Sequence, residues 1–340
     1  MISNDFQARL NSAGVQASFV SDDQVLPLVI TPLSGDVDLN QMVEQQQALM
    51  TELLAQYGGL LFRGFNVDSS DAFEQFVEKA SGTPLKYTEQ SSPRSNVGGR
   101  VYTSTDHPPD KEIFLHSEQS YNLAFPLKIF FFCETAAEKG GTTPIADARK
   151  IFNRISEQTR EQFLQRKYRY SRYFWPMMSM TWQKAFQTDN QQEVEEYCRA
   201  NQIEFSWEPG GALSTYQVRP VASVHPVSGD VCWFNHCTFF NLSTLDPDTK
   251  EMFEDSFSES ELPNQTFYGD GGRIEEDVYN ELRDAYVSEK VEFDWETGDV
   301  LMLDNMLCTH GRGSFEGERR VLTAMSEPTL WADVEYKPGA

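Results

Sequence analysis

The feature that most limits the possible folds of this sequence is its pattern beyond about residue 100. Short apolar and aromatic runs alternate there with turn residues: IFLHSEQSY, PLKIFFFCETA, RYSRYFW, VCWFN, VEFDW, DVLMLDN and RRVLTAMSE. Runs of this length, bounded by Gly, Pro, Asp and Asn, are typical of strands in a sandwich or barrel. Helical spacing interrupts them at about 148–167, 191–200, 247–257 and 274–286. The pattern predicts a jelly-roll β core with flanking helices.

The first 90 residues carry a different pattern. Apolar residues recur at helical spacing over about 38–58 and again over about 71–82, and each stretch ends at glycine. A short apolar run, LLFRGF at 60–65, lies between them and predicts a strand. We therefore expect this part of the chain to fold as helix, strand, helix.

The chain has 340 residues, and no stretch rich in Pro, Gly and Ser divides it. Barrels and sandwiches of more than 200 residues commonly form one unit. We therefore predict a single α+β, mainly β domain over 1–340. Its helix-strand-helix part is expected at about 1–90 and its jelly-roll core at about 100–330.

The charge balance excludes several classes of function. The chain has 28 Lys and Arg against 52 Asp and Glu, a net charge of −24 at pH 7. Such a chain repels phosphate backbones and anionic lipid, so neither a nucleic-acid partner nor a membrane partner is expected. The dense basic stretch at 160–172 contains interleaved tyrosines, and a solvated helix followed by an edge strand explains it. The longest apolar run, 129–133, is too short to span a bilayer.

Cysteine usage and the N-terminal residues bear on the compartment. Five cysteines occur without a CxxC pair, which favours neither a disulfide framework nor a zinc ribbon. The N-terminal residues have neither the basic region nor the apolar region of a signal peptide. We expect a cytoplasmic protein, and the sequence does not indicate its oligomeric state.

Histidine is scarce, with five in the chain, so each one is informative. His116 and Glu118 are two residues apart, and on a strand such positions point to the same side. His310 follows an apolar strand and would complete a two-histidine, one-carboxylate face of the kind that binds Fe(II). A polar surface strand explains an isolated HxE pair equally well, and His310 could be a turn histidine. His236, between two phenylalanines, fits a buried core histidine that is not a ligand.

Two further motifs point to an anionic ligand. The GGTTP turn at 140–144 lets backbone approach a ligand and offers the hydroxyls of Thr142 and Thr143, although a plain hairpin turn explains it too. Arg319 and Arg320 begin the last strong strand, and only one of two adjacent strand residues can face the core. A buried arginine there requires an anionic partner such as a small dicarboxylate.

Four segments in this order resemble the taurine dioxygenase-like (TauD/TfdA) family of Fe(II)/2-oxoglutarate oxygenases: LLFRGF, HSE, GGTTPIAD and DNMLCTHGRGSFEGERRVLTAM. Within the family, YTSTDHP, HSEQSYN, PLKIFFFC and the C-terminal motif look most like the syringomycin-biosynthesis-type amino-acid hydroxylases. Those act on amino acids, often while these are tethered to a peptide-synthetase carrier domain. The resemblance implies a double-stranded β-helix and an enzyme that uses Fe(II), 2-oxoglutarate and O2.

By the same motif match, His116, Glu118 and His310 would bind iron. Arg320, the second arginine of the pair, would bind the distal carboxylate of 2-oxoglutarate, with Thr143 helping. A substrate-binding arginine of the taurine enzymes is replaced here by Ala324, which argues against a sulfonate substrate. Related halogenases replace the carboxylate ligand by Gly or Ala, so the presence of Glu118 favours hydroxylation.

Substrate recognition is less determined by the sequence. Arg94, Ser104 and Arg312 lie in or near the matched motifs and are candidate contacts for an amino-acid-like substrate, although surface salt bridges explain such arginines as well. The long segment between the two histidine ligands has room for lid insertions at about 170–300, where we expect specificity to be set. A carrier-protein domain is a possible partner. The alternatives are oxidation of a free small acid or amino acid, including desaturation, and a jelly-roll binding protein without enzymatic activity.

Overall fold

The computed structural model describes residues 2–92, 94–177 and 180–339. Its N-terminal part contains more elements than the sequence pattern predicts. In chain order they are α1 (Asn4–Ser12), β1 (Val15–Ser21), β2 (Gln24–Pro32), α2 (Leu39–Gln45), α3 (Gln47–Tyr57), β3 (Gly59–Phe62) and α4 (Ser70–Ser81).

Local capping explains where these helices begin and end. The side chain of Asp38 accepts a hydrogen bond from the backbone of Gln41 and starts α2. Gln46 leaves the helical conformation, so the predicted helix over 38–58 is two helices. Gly58, at a φ of 78°, ends α3 in the left-handed conformation that favours glycine. The side chain of Ser69 starts α4 in the same way as Asp38 starts α2.

The remaining elements form the core and an insertion. From residue 96 to 166 they are β4 (Asn96–Gly98), β5 (Val101–Thr103), β6 (Ile113–His116), β7 (Ala124–Thr135), β8 (Lys139–Gly140), β9 (Ile145–Asp147), α5 (Ala148–Arg154) and α6 (Glu157–Arg166). The insertion contains β10 (Tyr168–Phe174), α7 (Trp182–Phe186), α8 (Gln191–Ala200), β11 (Glu204–Trp207), β12 (Leu213–Arg219), β13 (Ala222–Val224), β14 (Val231–Trp233), α9 (Pro247–Ser256), β15 (Asn264–Tyr268) and α10 (Glu276–Glu289). The chain ends with β16 (Val300–Asp304), β17 (Cys308–Arg312), β18 (Phe315–Glu316), β19 (Arg320–Leu330) and α11 (Trp331–Val334).

The larger sheet has the strand order β1-β2-β3-β16-β7-β19-β5-β4. Its central strand β7 is buried on both faces, which explains the unbroken apolar run IFFFC. Phe130 and Phe132 pack against the N-terminal helices, while Phe131 and Cys133 face the second layer of the core. The N-terminal strands extend this sheet, so residues 15–62 are part of its architecture.

The second layer is the smaller sheet β6-β17-β9, with the β13-β14 hairpin as a separate pair. Between the two layers lies an apolar cluster that includes Phe131, Ile145, Leu301, Cys308 and Met325. The fold class is therefore the predicted one: a mainly β, double-stranded β-helix core with helices outside it. That the whole chain is one domain stays a prediction.

The insertion forms its own sheet, with the strand order β11-β12-β10-β15. Strand β10, which the sequence suggested to be an edge strand, lies between β12 and β15. The segment VEFDW contributes only the bridge from Val291 to Ile145 rather than a full strand among the described residues. No described helix has both the length and the apolar character needed to cross a bilayer. All five cysteines are buried with free thiols.

Candidate active site

The two predicted histidine ligands lie opposite each other in the smaller sheet. His116 ends β6 and His310 lies inside β17, where the antiparallel register pairs them directly. Their ring centroids are 4.5 Å apart. The Nδ1 of His116 lies 2.9 Å from the carbonyl oxygen of Phe114, which can only accept, so Nδ1 carries the proton. The Nε2 of His116 is therefore left as a lone-pair ligand atom.

Glu118 completes the cluster from outside the strand. Strand β6 ends at His116, and Glu118 lies in the turn that follows, so the predicted same-side strand geometry is wrong. The turn nevertheless brings the carboxylate to both histidines. One ligand atom each from His116, Glu118 and His310 lie within 4.8 Å of one another, and the three residues are buried.

The protonation states fit a divalent metal. Burial lowers the pKa of His116 to about 3 and also lowers that of His310, so both imidazoles are neutral at pH 7. Burial opposes the charge of Glu118, but the charge of Arg94 is the largest opposing effect, and the pKa of this carboxyl is lowered. Two neutral imidazoles and one carboxylate are the donor set of non-haem Fe(II) oxygenases. These residues fit the iron that the family resemblance implies.

Arg94 lies directly beside the cluster. Its Nη2 donates to Oε2 of Glu118 over 2.6 Å, and both side chains are nearly inaccessible to solvent. The guanidinium carbon lies 4.7 Å from the ring centroid of Tyr87. Its Nε and Nη1 are buried and have no hydrogen-bond partner among the residues that the structure describes. Arg94 also lines a cleft of about 400 Å³, together with Gln90, Tyr102 and Gln187.

The prediction that Arg320 faces the core is wrong. Its side chain is 47% exposed and pairs with Glu134. Arg319 faces inward instead, on the same side of the strand as Val321 and Met325, and its Nε donates to the carbonyl oxygen of Gly141 over 2.8 Å. Burial, and then the nearby charge of Arg312, lower the pKa of Arg319 to about 10. The side chain that faces inward is therefore that of Arg319 and not that of Arg320.

If Arg319 is taken as the reference in place of Arg320, the position four residues later is Thr323 rather than Ala324. Ala324 faces the N-terminal helices, whereas Thr323 is four residues beyond Arg319 and shares its side of the strand. The hydroxyl of Thr323 donates to the carbonyl of Phe130. Neither residue is cationic, and the absence of a sulfonate substrate stays a prediction.

Gly141 contacts Arg319, and Thr143 lies two residues further along the same segment. Gly141 has a φ of 69°, and a Cβ there would lie 2.8 Å from Cδ of Arg319, so the close approach requires glycine. The hydroxyl of Thr143 is buried and accepts a hydrogen bond from Nε1 of Trp295 over 3.0 Å. Its own proton stays available to a ligand.

The other two predicted substrate contacts, Arg312 and Ser104, have different surroundings. The terminal nitrogens of Arg312 donate to the carbonyls of His107, Pro108 and Lys111 and so hold that loop, while its buried Nε has no partner among the described residues. A substrate role for Arg312 stays a prediction. Ser104 lies beside β19 and donates its backbone N–H to the carbonyl of Val321. A substrate role for Ser104 stays a prediction.

Sequence reasoning missed two residues that contact the site. Asn305 binds the backbone of Glu118, and its position after an apolar strand was the only available signal. His236 lies with its ring centroid 5.3 Å from that of His116 and places Nδ1 2.6 Å from Oγ of Ser120. The aromatic neighbours of His236 indicated burial but not this proximity.

Comparisons with known proteins agree with this geometry. The family model "Taurine catabolism dioxygenase TauD, TfdA family" matches residues 29–325. The chain is 36% identical over 312 residues to the dapdiamide synthesis protein DdaC of Enterobacter agglomerans, a match that covers 92% of this chain and 94% of that protein. It is 27% identical over 323 residues to a clavaminate synthase-like protein of Arabidopsis thaliana, covering 89% and 94% of the two chains.

Solved structures share the fold at low identity. PvcB of Pseudomonas aeruginosa superposes with a TM-score of 0.54 at 14% identity, covering 96% of this chain and 95% of that one. A taurine dioxygenase from Burkholderia xenovorans gives a TM-score of 0.52 at 14% identity, covering 96% of each. The family match and the 36% identical relative cover most of the chain. The chain therefore belongs to the TauD/TfdA family and is an Fe(II)/2-oxoglutarate-dependent dioxygenase.

Proposed function

We propose that this dioxygenase hydroxylates an unactivated C–H bond of an amino acid or an amino-acid-derived compound in secondary metabolism. The observation that carries the proposal is Arg94, a buried guanidinium that bonds Glu118, lines the cleft and has its Nε and Nη1 without partners among the described residues. A carboxylate oxygen would accept a charge-assisted hydrogen bond from either nitrogen. The name of the relative DdaC, a dapdiamide synthesis protein, supports a biosynthetic setting.

Arg319 is the residue that we propose for the distal carboxylate of 2-oxoglutarate, in place of Arg320. Its Nε is used by Gly141, and its terminal nitrogens have no partner among the described residues. The depressed pKa of Arg319 reflects a cation that is buried without a counter-ion, and a dicarboxylate supplies one. The Thr143 hydroxyl offers a further donor to the same carboxylate.

His116, Glu118 and His310 would hold the Fe(II). The metal supplies the activation of O2 that couples decarboxylation of 2-oxoglutarate, to succinate and CO2, with hydroxylation of the substrate carbon. The protein's own residues orient the reactants and exclude water. Phe239 stacks on His116 at 4.5 Å between ring centroids, and Phe131 lies 5.2 Å from His310. These rings keep bulk water away from the cluster.

The charge of Arg94 also bears on whether the substrate is tethered. An amino acid held on a carrier domain as a thioester has lost its α-carboxylate, so a tethered substrate would need a side-chain carboxylate to pair with Arg94. A free amino acid satisfies the same arginine through its α-carboxylate. Whether the substrate is tethered, as in the syringomycin-type hydroxylases, can therefore be tested by comparing acidic aminoacyl thioesters with free amino acids.

The experiment begins with anaerobic addition of Fe(II) and 2-oxoglutarate, and it follows the visible charge-transfer band of the complex. Succinate release is then screened against free amino acids, their amides, and neutral or acidic aminoacyl thioesters of a carrier domain. We expect release only with compounds that carry a carboxylate, and product masses 16 Da above the substrate. A product 2 Da lighter would identify desaturation, and release driven equally by the amides would contradict the proposal.

A further inference from the structure

The position of Glu118 raises the question of what holds it. His116 and His310 are fixed by backbone pairing between β6 and β17, whereas Glu118 lies in a turn after β6 ends. We call residues 117–121 the Glu118 turn. A glutamate also has one more rotatable bond than aspartate, so its carboxylate depends more on a fixed backbone. The ladder does not provide that restraint.

The side chain of Asn305 restrains the backbone of Glu118. Its Oδ1 accepts the backbone N–H of Glu118 over 2.7 Å, and its Nδ2 donates to the backbone carbonyl of Glu118 over 2.9 Å. The second proton of Nδ2 goes to the carbonyl of Pro126 over 2.8 Å. Asn305 is fully buried, so solvent cannot replace these bonds. One side chain thus pairs with both polar backbone groups of the predicted iron ligand.

Asn305 is itself fixed by the turn that leads to His310. The neighbouring Asp304 accepts the backbone N–H groups of Met306 and Leu307 through Oδ1, and its Oδ2 lies 2.8 Å from Nε2 of His225. This short connection between β16 and β17 leads directly into the strand that carries His310. Asn305 therefore links the segment that positions one histidine to the turn that positions the carboxylate.

A weaker restraint acts on the other side of the Glu118 turn. Oγ of Ser120 donates to the carbonyl of Ser117 over 3.1 Å and lies 2.6 Å from Nδ1 of His236. Because the hydroxyl proton is used by Ser117, His236 must be the donor, and its Nδ1 carries the proton. Ser120 and His236 hold the turn through one side-chain pair, whereas Asn305 holds Glu118 itself.

We propose that Asn305 is the positioning residue that fixes Glu118 for metal binding, with the Ser120–His236 pair as a secondary restraint. The consequence is measurable without any substrate. Outer partners of metal ligands typically change metal affinity by about 10- to 100-fold. Loss of Asn305 should weaken binding within that range, and loss of the Ser120 hydroxyl should weaken it less.

The test uses Co(II), whose visible ligand-field absorption reports the geometry of the bound ion, titrated into the full-length protein. Asn305→Leu removes all three hydrogen bonds at similar volume. The matched control is Asn241→Leu, because Asn241 is also buried and bonds Ser243, Gln265 and Tyr279 away from the cluster. We expect roughly 10-fold or weaker Co(II) binding and an altered band in Asn305→Leu, with both unchanged in Asn241→Leu.

Unchanged Co(II) affinity in folded Asn305→Leu would overturn the proposal, and so would an equal loss in the control. Asn305→Asp tests the idea if the leucine variant does not fold, because it retains an acceptor for the Glu118 N–H and loses both donated bonds. We expect it to bind Co(II) more weakly than wild type, and wild-type affinity with a wild-type spectrum would contradict the assignment. Since Co(II) binding requires no substrate, a wrong substrate class leaves this result intact.

Discussion

The two sides of the active site are built in different ways. The metal side rests on backbone pairing, since His116 and His310 are direct partners in the β6-β17 ladder. The cleft side, residues 84–92 and 94–111, carries Arg94 and is tied to the core by short stretches of backbone pairing and by side chains. Tyr102 and Thr103 of β5 pair with β19, and the N–H of Leu85 donates to the carbonyl of Met325. Arg312 adds a side-chain tie by binding the carbonyl of His107.

This difference in construction corresponds to two tasks of the enzyme, metal binding and substrate recognition. A backbone ladder restrains the positions of its residues, because each hydrogen bond supports its neighbours. A segment with only short backbone pairing to the core can change residue by residue without disturbing the β6-β17 pairing. We infer that the metal side determines the chemistry and that the cleft side determines the substrate. The following predictions test that separation.

The largest effect is expected from His116→Ala. Removal of a ligand from the ladder should weaken Fe(II) binding by more than about 100-fold, beyond the range that outer partners produce. Loss of the charge-transfer band with 2-oxoglutarate measures it. His107→Ala is the control, because that side chain lies at the surface of the cleft side. A band of normal intensity in His116→Ala would remove this residue from the metal site.

The adjacent arginines offer the next comparison. Arg319→Gln should raise the Kd for 2-oxoglutarate roughly 30-fold or more, since removing one partner of a buried charge pair costs about 2 kcal/mol or more. Arg320→Gln should change it little, because that residue pairs with Glu134 at the surface. Calorimetric titration of the metal-loaded protein measures both values. The reverse ranking would restore Arg320 as the 2-oxoglutarate ligand.

Arg94→Gln should act on the substrate. Loss of a charge-assisted hydrogen bond costs about 1.5 kcal/mol or more, so we expect KM for a carboxylate substrate to rise roughly 10-fold. The preference for that substrate over its amide should disappear, measured in protein saturated with Fe(II) because Arg94 also bonds Glu118. Arg100→Gln serves as the control, since Arg100 binds the carbonyl of Pro84 in the same segment. A retained preference in Arg94→Gln would place the carboxylate elsewhere.

The smallest effect is expected from Tyr102→Phe, which removes the hydrogen bond from the N–H of Tyr87. The free energy of unfolding should fall by about 1 kcal/mol, as measured by chemical denaturation. Fe(II) and 2-oxoglutarate affinities should not change if the two sides are independent. A parallel loss of cofactor affinity would show that the cleft side also supports the metal side.

The sequence predicted structure correctly where a local pattern is compatible with only one conformation. Glycine at 58 and 82 ended the helices as expected, and β7 showed its burial in an unbroken apolar run. The three predicted metal ligands are brought together in the structure. The reason given for Glu118 was nevertheless wrong, because no sequence signal shows that β6 ends at His116.

The inward arginine could not be chosen from the motif for a related reason. The two arginines are adjacent and so point to opposite sides, and the motif does not show which of them shares the side of Val321 and Met325. One residue more or less in the turn after His310 would exchange the two sides. Strand β2 was missed because Pro27 interrupts its apolar run, and a proline argues against a central strand. Strand β1 was missed because it is a largely exposed edge strand.

The burial of every cysteine has a practical consequence. Burial raises the pKa of Cys133, Cys198 and Cys237 to about 12, so these thiols carry almost no thiolate at neutral pH. A maleimide label or spin probe would therefore react with a cysteine introduced at the protein surface in preference to the native ones. A single label on the cleft side would report changes in its local mobility as substrate binds, without removing any native thiol.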